Sequence, residues 1–401
     1  MLQPHHIKTV QATLPLLESA GPALTEHFYA RMFRDNPELK DVFNLAHQTS
    51  GAQPVALFNA ILAYARYLNN PAVLSQAVER IAQKHTSFLI RPEQYSIVGH
   101  HLLETIRELA PDAATAEVLE AWELAYGQLA EIFIGREAEI YDQAANANGG
   151  WRGKRRFRLA SKIQETDLIS SFEFEPLDGA PVSLFKPGQY LTVSISHPSL
   201  AQHEYRQYSL SDAPNGRSYR ISVKREAAPV PGQVSTYLHD ELQVGDEIDL
   251  LPPSGDFYLD VTPDTPVVLL SGGVGLTPML SMFNSLAEAC HRAPVYYLHG
   301  CENGRQHAFA GQVAELCASH ELLHSFCWYQ APLATDTADQ DYQATGMMDL
   351  APLRAAIERD NTEYYFCGPL PFMQSIHRQL KAWGVADSRL HYELFGPHQT
   401  L

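Results

Sequence analysis

The stretch Arg80-Ile-Ala-Gln-Lys-His85-Thr-Ser-Phe-Leu-Ile-Arg-Pro92-Glu-Gln-Tyr95 decides how the first third of the chain reads. Leu74, Val78 and Ile81 recur at three- and four-residue spacing, the apolar stripe of an amphipathic helix. His85 continues that stripe and Phe88 follows it. Proline is unsuited to a helix interior but suits a first turn, so Pro92 predicts a turn and a second helix that carries Tyr95 near its start.

The same spacing recurs on both sides. Leu24, Phe28, Met32 and Phe33 mark a helix between Pro22 and Pro37, and Leu57, Ile61 and Tyr64 mark another begun near Pro54. Val98, Leu102, Ile106 and Leu109 continue the helix after Pro92. The longest run, from about Ala113 to Tyr141, sets Val118, Trp122, Tyr126, Leu129, Phe133 and Ile140 on one face. With no strand pattern among them, residues 1–143 are expected to form an all-α domain. Small and polar residues in Gln143-Ala-Ala-Asn-Ala-Asn-Gly-Gly150 predict a break, and a linker is expected over 144–152.

From Phe157 the apolar period changes to two. Leu159–Ile163, Ile169–Phe174, Tyr190–Ile195, Tyr205–Leu210, Tyr219–Val223 and Ile248–Leu251 read as short strands between Pro, Gly and Asp turns, so residues 153–262 are expected to form an antiparallel β-barrel. From Pro266 strands alternate with helices: Val267–Leu270, helix Met279–Cys290, Val295–Leu298, helix Gly311–Ser319, Leu323–Trp328, helix Leu350–Glu358, Tyr364–Cys367 and helix Phe372–Trp383. That alternation predicts an α/β parallel-sheet domain over 263–401.

Composition narrows the function. The 401-residue chain is 45% hydrophobic and 19% charged, with a net charge of -17, which disfavours nucleic acid and anionic membranes as partners. One basic run, Arg152-Gly-Lys-Arg-Arg-Phe-Arg158, opposes the trend and reads as a solvated strand edge in preference to a nucleic-acid patch. There is no signal-peptide pattern at Met1 and no apolar run long enough to span a bilayer, so a cytoplasmic protein without stable membrane insertion is expected. The 5 cysteines, at 290, 301, 317, 327 and 367, form no CxxC pair and read as reduced thiols. Without CxxCH, a haem would be held non-covalently.

A histidine on an apolar stripe is either packed in the core or a ligand. Two further polar groups on apolar stripes of the same domain favour the ligand. Glu137 stands four residues after Phe133 and three before Ile140, so its carboxylate should face the core, and Tyr95 opens the stripe Val98–Leu102–Ile106. Buried carboxylates need partners. His85, Tyr95 and Glu137 could satisfy one another and so orient the imidazole; a salt bridge from Glu137 to a neighbouring arginine is the alternative. Tyr29 and Gln53 are polar positions that could donate to a small ligand or lie on a helix surface, and Phe43 could pack on a cofactor or in the core.

In the barrel, alternation along Arg206-Gln207-Tyr208-Ser209 points Arg206 and Tyr208 the same way, a cation and a ring suited to a flavin nucleotide. Gly232-Gln233-Val234-Ser235 could receive a pyrophosphate on free amides. In the last domain Gly273-Val274-Gly275-Leu276-Thr277-Pro278 follows a strand and opens a helix, allowing close backbone approach to a phosphate although it is not GxGxxG. Cys367-Gly368-Pro369 ends a strand, where α/β sheets collect ligands.

These motifs in this order resemble the ferredoxin-NADP reductase superfamily over residues from about 155 to 401. Joined to a globin-like N-terminal domain, the chain resembles the bacterial flavohaemoglobins. Asn36-Pro-Glu-Leu-Lys, Ile81-Ala-Gln-Lys-His85, Arg136-Glu-Ala-Glu-Ile-Tyr141, Pro187-Gly-Gln-Tyr190, Arg206-Gln-Tyr-Ser209 and Phe395-Gly-Pro-His398 carry the match. The resemblance implies a nitric oxide dioxygenase that takes NO and O2 as substrates and holds haem b with its iron, FAD, and NADH or NADPH. It implies His85 as the iron ligand, Tyr95 and Glu137 as its relay, Tyr29 and Gln53 on the opposite side, and Phe43 and Leu57 against the haem. Tyr190, Arg206, Gln207, Tyr208, Ser209, Gly232, Gln233, Val234 and Ser235 would hold FAD, with Leu394, Phe395, Gly396 and Pro397 near the flavin. Gly273 to Pro278 and Cys367 to Pro369 would hold the nicotinamide cofactor. A monomer is expected, with room for a lipid in the haem pocket.

Two departures stand out: a longer Ala227-Ala-Pro-Val-Pro231 approach to the flavin-phosphate loop, and Leu394 where cysteine often stands. Arg305 could meet a 2′-phosphate, but Glu302 would repel it, which favours NADH. Peroxide reduction, and oxygen binding or redox sensing, are the alternative functions for such a haem.

Overall fold

The computed structural model describes residues 2–41, 52–198, 200, 202–227 and 230–396. The chain divides into two compact units: essentially the helical part through Asn146, and the β and α/β remainder.

The helical unit contains α1 (Pro4–Ala12), α2 (Leu14–Ala20), α3 (Ala23–Asp35), α4 (Ala52–Tyr67), α5 (Ser75–Thr86), α6 (Pro92–Leu109) and α7 (Ala116–Asn146). The apolar stripes read from sequence meet as expected: Phe28, Met32, Leu102, Ile106 and Trp122 are buried in one core. Ala82, Tyr95, Ala130, Phe133 and Ile140 form a second cluster where α5, α6 and α7 converge. Gln143–Asn146 stay helical despite their small and polar side chains, so the break comes at 147.

The second unit opens with β1 (Arg155–Gln164), β2 (Ile169–Pro176), β3 (Tyr190–Ile195), β4 (Glu204–Ser209), β5 (Tyr219–Lys224), α8 (Gln233–Asp240) and β6 (Glu247–Ser254). These strands form one sheet in the order β4-β3-β6-β1-β2-β5. Its edges meet just past β4, where Leu210 bridges Ile221 and the Ser211 N–H donates to the Arg220 carbonyl at 2.9 Å, which curls the sheet toward a barrel. Phe157, Phe172 and Phe174 fill the interior with no exposed surface. Three arginines of the basic run are paired: Arg155 with Asp178 in the turn after β2, Arg156 with Glu247 and Asp249 on β6, and Arg158 with Glu175 on β2. These arginines lie on β1, which is paired with both β2 and β6 and so is an inner strand, not the solvated edge expected from sequence. Their charges are met by carboxylates around the same sheet.

The remaining elements are β7 (Val267–Gly272), α9 (Leu276–Glu288), β8 (Val295–Cys301), α10 (Ala310–Ser319), β9 (Leu323–Tyr329), β10 (Ala344–Thr345), α11 (Arg354–Ile357), β11 (Glu363–Cys367), α12 (Leu370–Ala382) and β12 (Leu390–Glu393). Their sheet is parallel, in the order β10-β9-β8-β7-β11-β12. The helix expected over Leu350–Glu358 is a 3-10 turn, Ala351–Leu353, followed by the single turn of α11. Strand order reverses between β7 and β11, and such switch points collect ligands at carboxyl strand ends. Sheet and barrel are tied together: Asn284 on α9 donates to the Asp212 carboxylate at 2.8 Å, and Ser281 donates to the Asp212 carbonyl at 2.7 Å.

Candidate functional site

The helical unit assembles its site from three helices. His85 lies in the last turn of α5, where the Phe88 and Ile90 N–H groups donate back to its carbonyl at 3.0 and 3.1 Å. The chain then reverses through Leu89, a non-glycine residue at φ 56°. Left-handed backbone is unfavourable for leucine, so the surrounding packing must hold this turn. Pro92 begins α6, and the Gln94 side chain accepts from the Arg91 N–H at 2.8 Å. That cap brings Tyr95 into the first turns of α6, facing α7.

Glu137 closes the site from α7. It is 3% exposed and lies between the buried Phe133 and Ile140, as the spacing predicted. Glu137 Oε1 is 2.8 Å from His85 Nδ1 and 2.5 Å from the Tyr95 hydroxyl, while that hydroxyl is 2.9 Å from Nδ1. Burial foremost, then the Glu137 charge, pushes the Tyr95 phenol far above its ordinary range, so tyrosine is the proton donor to the carboxylate. The imidazole then donates its Nδ1 proton to Glu137 and Tyr95. Nε2 carries the lone pair and has no hydrogen-bond partner among the described residues.

The arginine alternative fails. Arg136, next in sequence, pairs with Glu79 and Glu139, leaving Glu137 to the histidine and tyrosine. Phe133 lies 5.5 Å from the His85 ring and 6.3 Å from the Tyr95 ring, and the Tyr126 hydroxyl donates to the Tyr95 carbonyl at 2.7 Å. The His85 side chain keeps 33% of its surface accessible. An imidazole with a fixed tautomer, an anionic partner on one nitrogen and an open lone pair on the other is suited to ligating a metal.

Tyr29 is buried on α3, stacked on Phe33 at 5.7 Å and edge-on to Phe28 at 5.1 Å, in the core cluster against which Leu57 packs. Gln53 is half-buried in the first turn of α4. Phe43 lies outside the described residues.

In the second unit the nucleotide motifs fall at strand ends and helix starts. Arg206 and Tyr208 share a face of β4, and burial outweighs the nearby Arg206 charge to push the Tyr208 phenol up. Gln207 is half-buried and Ser209 buried on the same strand, and Tyr190 opens β3 close against Gly255. Gly232 caps α8, so Gln233, Val234 and Ser235 are its first turn. Ser235 is more occupied than its motif suggests. Its hydroxyl donates to the Gly232 carbonyl at 3.1 Å and accepts from the Glu226 N–H at 3.3 Å. A Cβ on Gly232 would come within 2.6 Å of that hydroxyl, which explains the glycine at an otherwise ordinary φ. Val234 is buried, so its backbone is the part left to meet a ligand.

At the switch point the two predicted loops touch. A Cβ on Gly275 would lie 2.2 Å from the Cys367 carbonyl, so only glycine allows β11 to approach α9 this closely. Gly273, at φ 53°, has open space around its missing side chain and is the position where a phosphate could approach. Val274 is partly buried, and Leu276, Thr277 and Pro278 are buried in the first turn of α9. Cys367 is fully buried, and desolvation holds its thiol well above the usual range, so its contribution is the carbonyl and the turn through Gly368 and Pro369. Leu394 follows β12, and Phe395 is 50% exposed beside Gly396. Pro397 lies outside the described residues. Arg305 is not idle, since it pairs with Asp167 at 2.6 Å.

Comparison with known proteins agrees with this division. A globin family model matches residues 26–133, and an oxidoreductase NAD-binding domain model matches residues 269–378. The flavohemoprotein of Rhizobium meliloti (strain 1021) is 48% identical over 390 residues, spanning 97% of this chain and 96% of that one. The chain belongs to the flavohemoprotein family. A solved flavohemoglobin from Malassezia yamatoensis, with bound FAD and heme, is 27% identical, covers 98% of this chain and 100% of that one, and superposes with a TM-score of 0.86. The flavohem-like FAD/NAD binding domain of nitric oxide dioxygenase from Vibrio cholerae O1 biovar El Tor is 41% identical; the match covers 61% of this chain and 100% of that one, with a TM-score of 0.56. A flavohemoprotein with an NAD-binding oxidoreductase domain is an oxidoreductase. No described helix is long and apolar enough to cross a membrane.

Proposed function

We propose that this flavohemoprotein is an NAD(P)H-dependent nitric oxide dioxygenase that converts NO and O2 to nitrate and so detoxifies NO. The observation that carries the reading is the buried Glu137–Tyr95 pair on Nδ1 of His85. The donor set fits a haem: one imidazole with Nε2 available, in an apolar cluster of Ala82, Ala130, Phe133 and Ile140. When bound, haem b would supply the dioxygen chemistry and FAD the conversion of a hydride from NAD(P)H into single electrons.

The residues of the chain do the positioning. His85 would ligate the iron through Nε2, while Glu137 holds the Nδ1 proton and makes the imidazole a stronger electron donor. That favours oxygen activation over simple storage. Tyr95 supplies its hydroxyl proton to Glu137 and keeps the carboxylate from turning away. Tyr29, with Gln53, would hold bound oxygen by hydrogen bonds, and Phe43 and Leu57 would pack on the haem.

Arg206 would balance the flavin phosphate charge while Tyr190, Tyr208 and Ser209 seat the ring; the α8 amides from Gly232 through Ser235 would receive the pyrophosphate. The loop Gly273–Pro278 and the turn Cys367–Pro369 would hold the nicotinamide cofactor, with Phe395 covering the flavin. The Arg305–Asp167 pair, with Glu302 close in sequence, favours NADH over NADPH.

The test is NO consumption by purified holoprotein with NADH, with and without O2, and with nitrate quantified. Rapid O2-dependent loss of NO with matching nitrate supports the proposal. Slow NO turnover with rapid NADH-linked peroxide loss would replace it by peroxide reduction. Slow turnover of both would leave an oxygen-binding or redox-sensing protein.

A further inference from the structure

Three side chains converge near the carboxyl ends of β8 and β9, one strand over from the Gly273 loop. Cys301 ends β8, Cys327 lies in β9, and His307 follows the turn Gly304–Gln306. One ligand atom from each lies within 4.8 Å of the other two. Cys327 Sγ is 3.8 Å from His307 Nδ1, and the Tyr329 hydroxyl is 2.9 Å from the same nitrogen. Both cysteines are buried, at 5% and 6% exposure, and Tyr342 stacks over Tyr329 at 4.9 Å.

We propose that Cys301, His307 and Cys327 form a binding site for a thiophilic divalent cation of the zinc class. In tetrahedral zinc centres, bonds of about 2.3 Å to sulfur and about 2.0–2.1 Å to nitrogen set ligand atoms roughly 3.5–3.8 Å apart. The observed spacing needs only small side-chain movements to reach this. Two thiolates and an imidazole leave a fourth position, beside which the Tyr329 hydroxyl lies 2.9 Å from His307 Nδ1 and the Asn303 carbonyl 3.6 Å from Cys301 Sγ. Next to the cluster, the His299 ring stacks on His307 at 5.3 Å, and its Nε2 is buried with no hydrogen-bond partner among the described residues.

A disulfide explains the pair less well. The register sets Cys301 opposite Tyr329 and His299 opposite Cys327, so the cysteines are two residues out of step. With about 4.8 Å between strands and about 3.3 Å per residue, their Cα atoms are roughly 8 Å apart. Disulfides span at most about 7 Å. The sulfurs can share an ion more readily than a covalent bond.

On binding, two Zn–S bonds and one Zn–N bond form, the two thiol protons and the displaced water pass to solvent, and no electron moves. The ion would close the loop Glu302–Gln306 between two of its ligands, fixing the segment that carries Arg305.

The experiment uses full-length protein with haem and flavin in place, treated with a chelator, given Zn2+ in equal amount and desalted. Zinc retention is measured by plasma mass spectrometry and the zinc shell by K-edge absorption. A single retained zinc with two sulfur neighbours is expected, lost in Cys301→Ser, Cys327→Ser and His307→Gln but kept in Cys290→Ser and Cys317→Ser. Flavin content reports whether each variant folds, and the wild-type spectrum stands even if a cysteine variant does not. No retained zinc, a shell without sulfur, or undiminished retention in folded Cys301→Ser and Cys327→Ser would overturn the site.

Discussion

Glu137→Gln removes one charge from the His85 network and changes little else. Glutamine has the same shape and can still accept from the Tyr95 hydroxyl, whose partner now lies at 2.5 Å. What disappears is the carboxylate 2.8 Å from Nδ1, at a position 3% exposed and so poorly screened by water. Charge-assisted hydrogen bonds are about twice as strong as neutral ones, so about 1–2 kcal/mol of local stabilisation should go. Loss of the partner that orients a metal-bound histidine costs about 10–100-fold in activity or metal affinity. Stopped-flow measurements separate the two halves of the reaction. Flavin reduction by NADH should match wild type, while NO consumption falls by about 10–100-fold. The iron–histidine stretching vibration in the ferrous protein should move to lower frequency as the imidazole loses anionic character. Wild-type NO consumption together with an unmoved vibration would refute the role assigned to Glu137.

Gly275→Ala forces a methyl group into the Cys367 carbonyl, 2.2 Å from its ideal position, so NADH binding should be lost and stability should fall by about 1–3 kcal/mol, as read by flavin reduction and thermal melting. Ser235→Ala removes both hydroxyl bonds that shape the α8 entry, and FAD affinity measured by flavin fluorescence should weaken by about 5–10-fold, or roughly 1 kcal/mol. His239 is lowered from the ordinary histidine range chiefly by burial, with its Nε2 donating to the Val223 carbonyl at 2.8 Å. The unfolded chain therefore binds a proton before the folded one does, and stability should fall as pH drops below about 6.5. In His239→Asn, flavin release on heating should depend less steeply on pH between about 7 and 5; an unchanged slope would contradict this.

Much of the account was legible in the sequence, for physical reasons. His85, Tyr95 and Glu137 each interrupt an apolar stripe, and the cost of burying polar groups forces such residues to find one another. The change from helical to strand-like spacing separated the folds, although β7 is buried on both faces and shows no alternation. The end of α7 was harder to read: Gln143–Asn146 carry linker-like side chains but extend an already formed helix at little cost. Motif reading found the positions of Ser235 and Cys367 without their contacts. Ser235 spends its hydroxyl on the Gly232 and Glu226 backbone, and Cys367 is buried, so both act through backbone or shape. The Cys301–His307–Cys327 cluster left no sequence signature, because the β8–β9 register brings it together and no local spacing does. The two-residue β10 and the short β12 are too brief to show a period.

The most direct measurement is NADH-driven, O2-dependent NO consumption in His85→Ala, run beside flavin reduction in the same sample. Loss of NO consumption with flavin reduction by NADH intact is the predicted result. NO consumption at the wild-type rate in that variant would contradict the account at its centre.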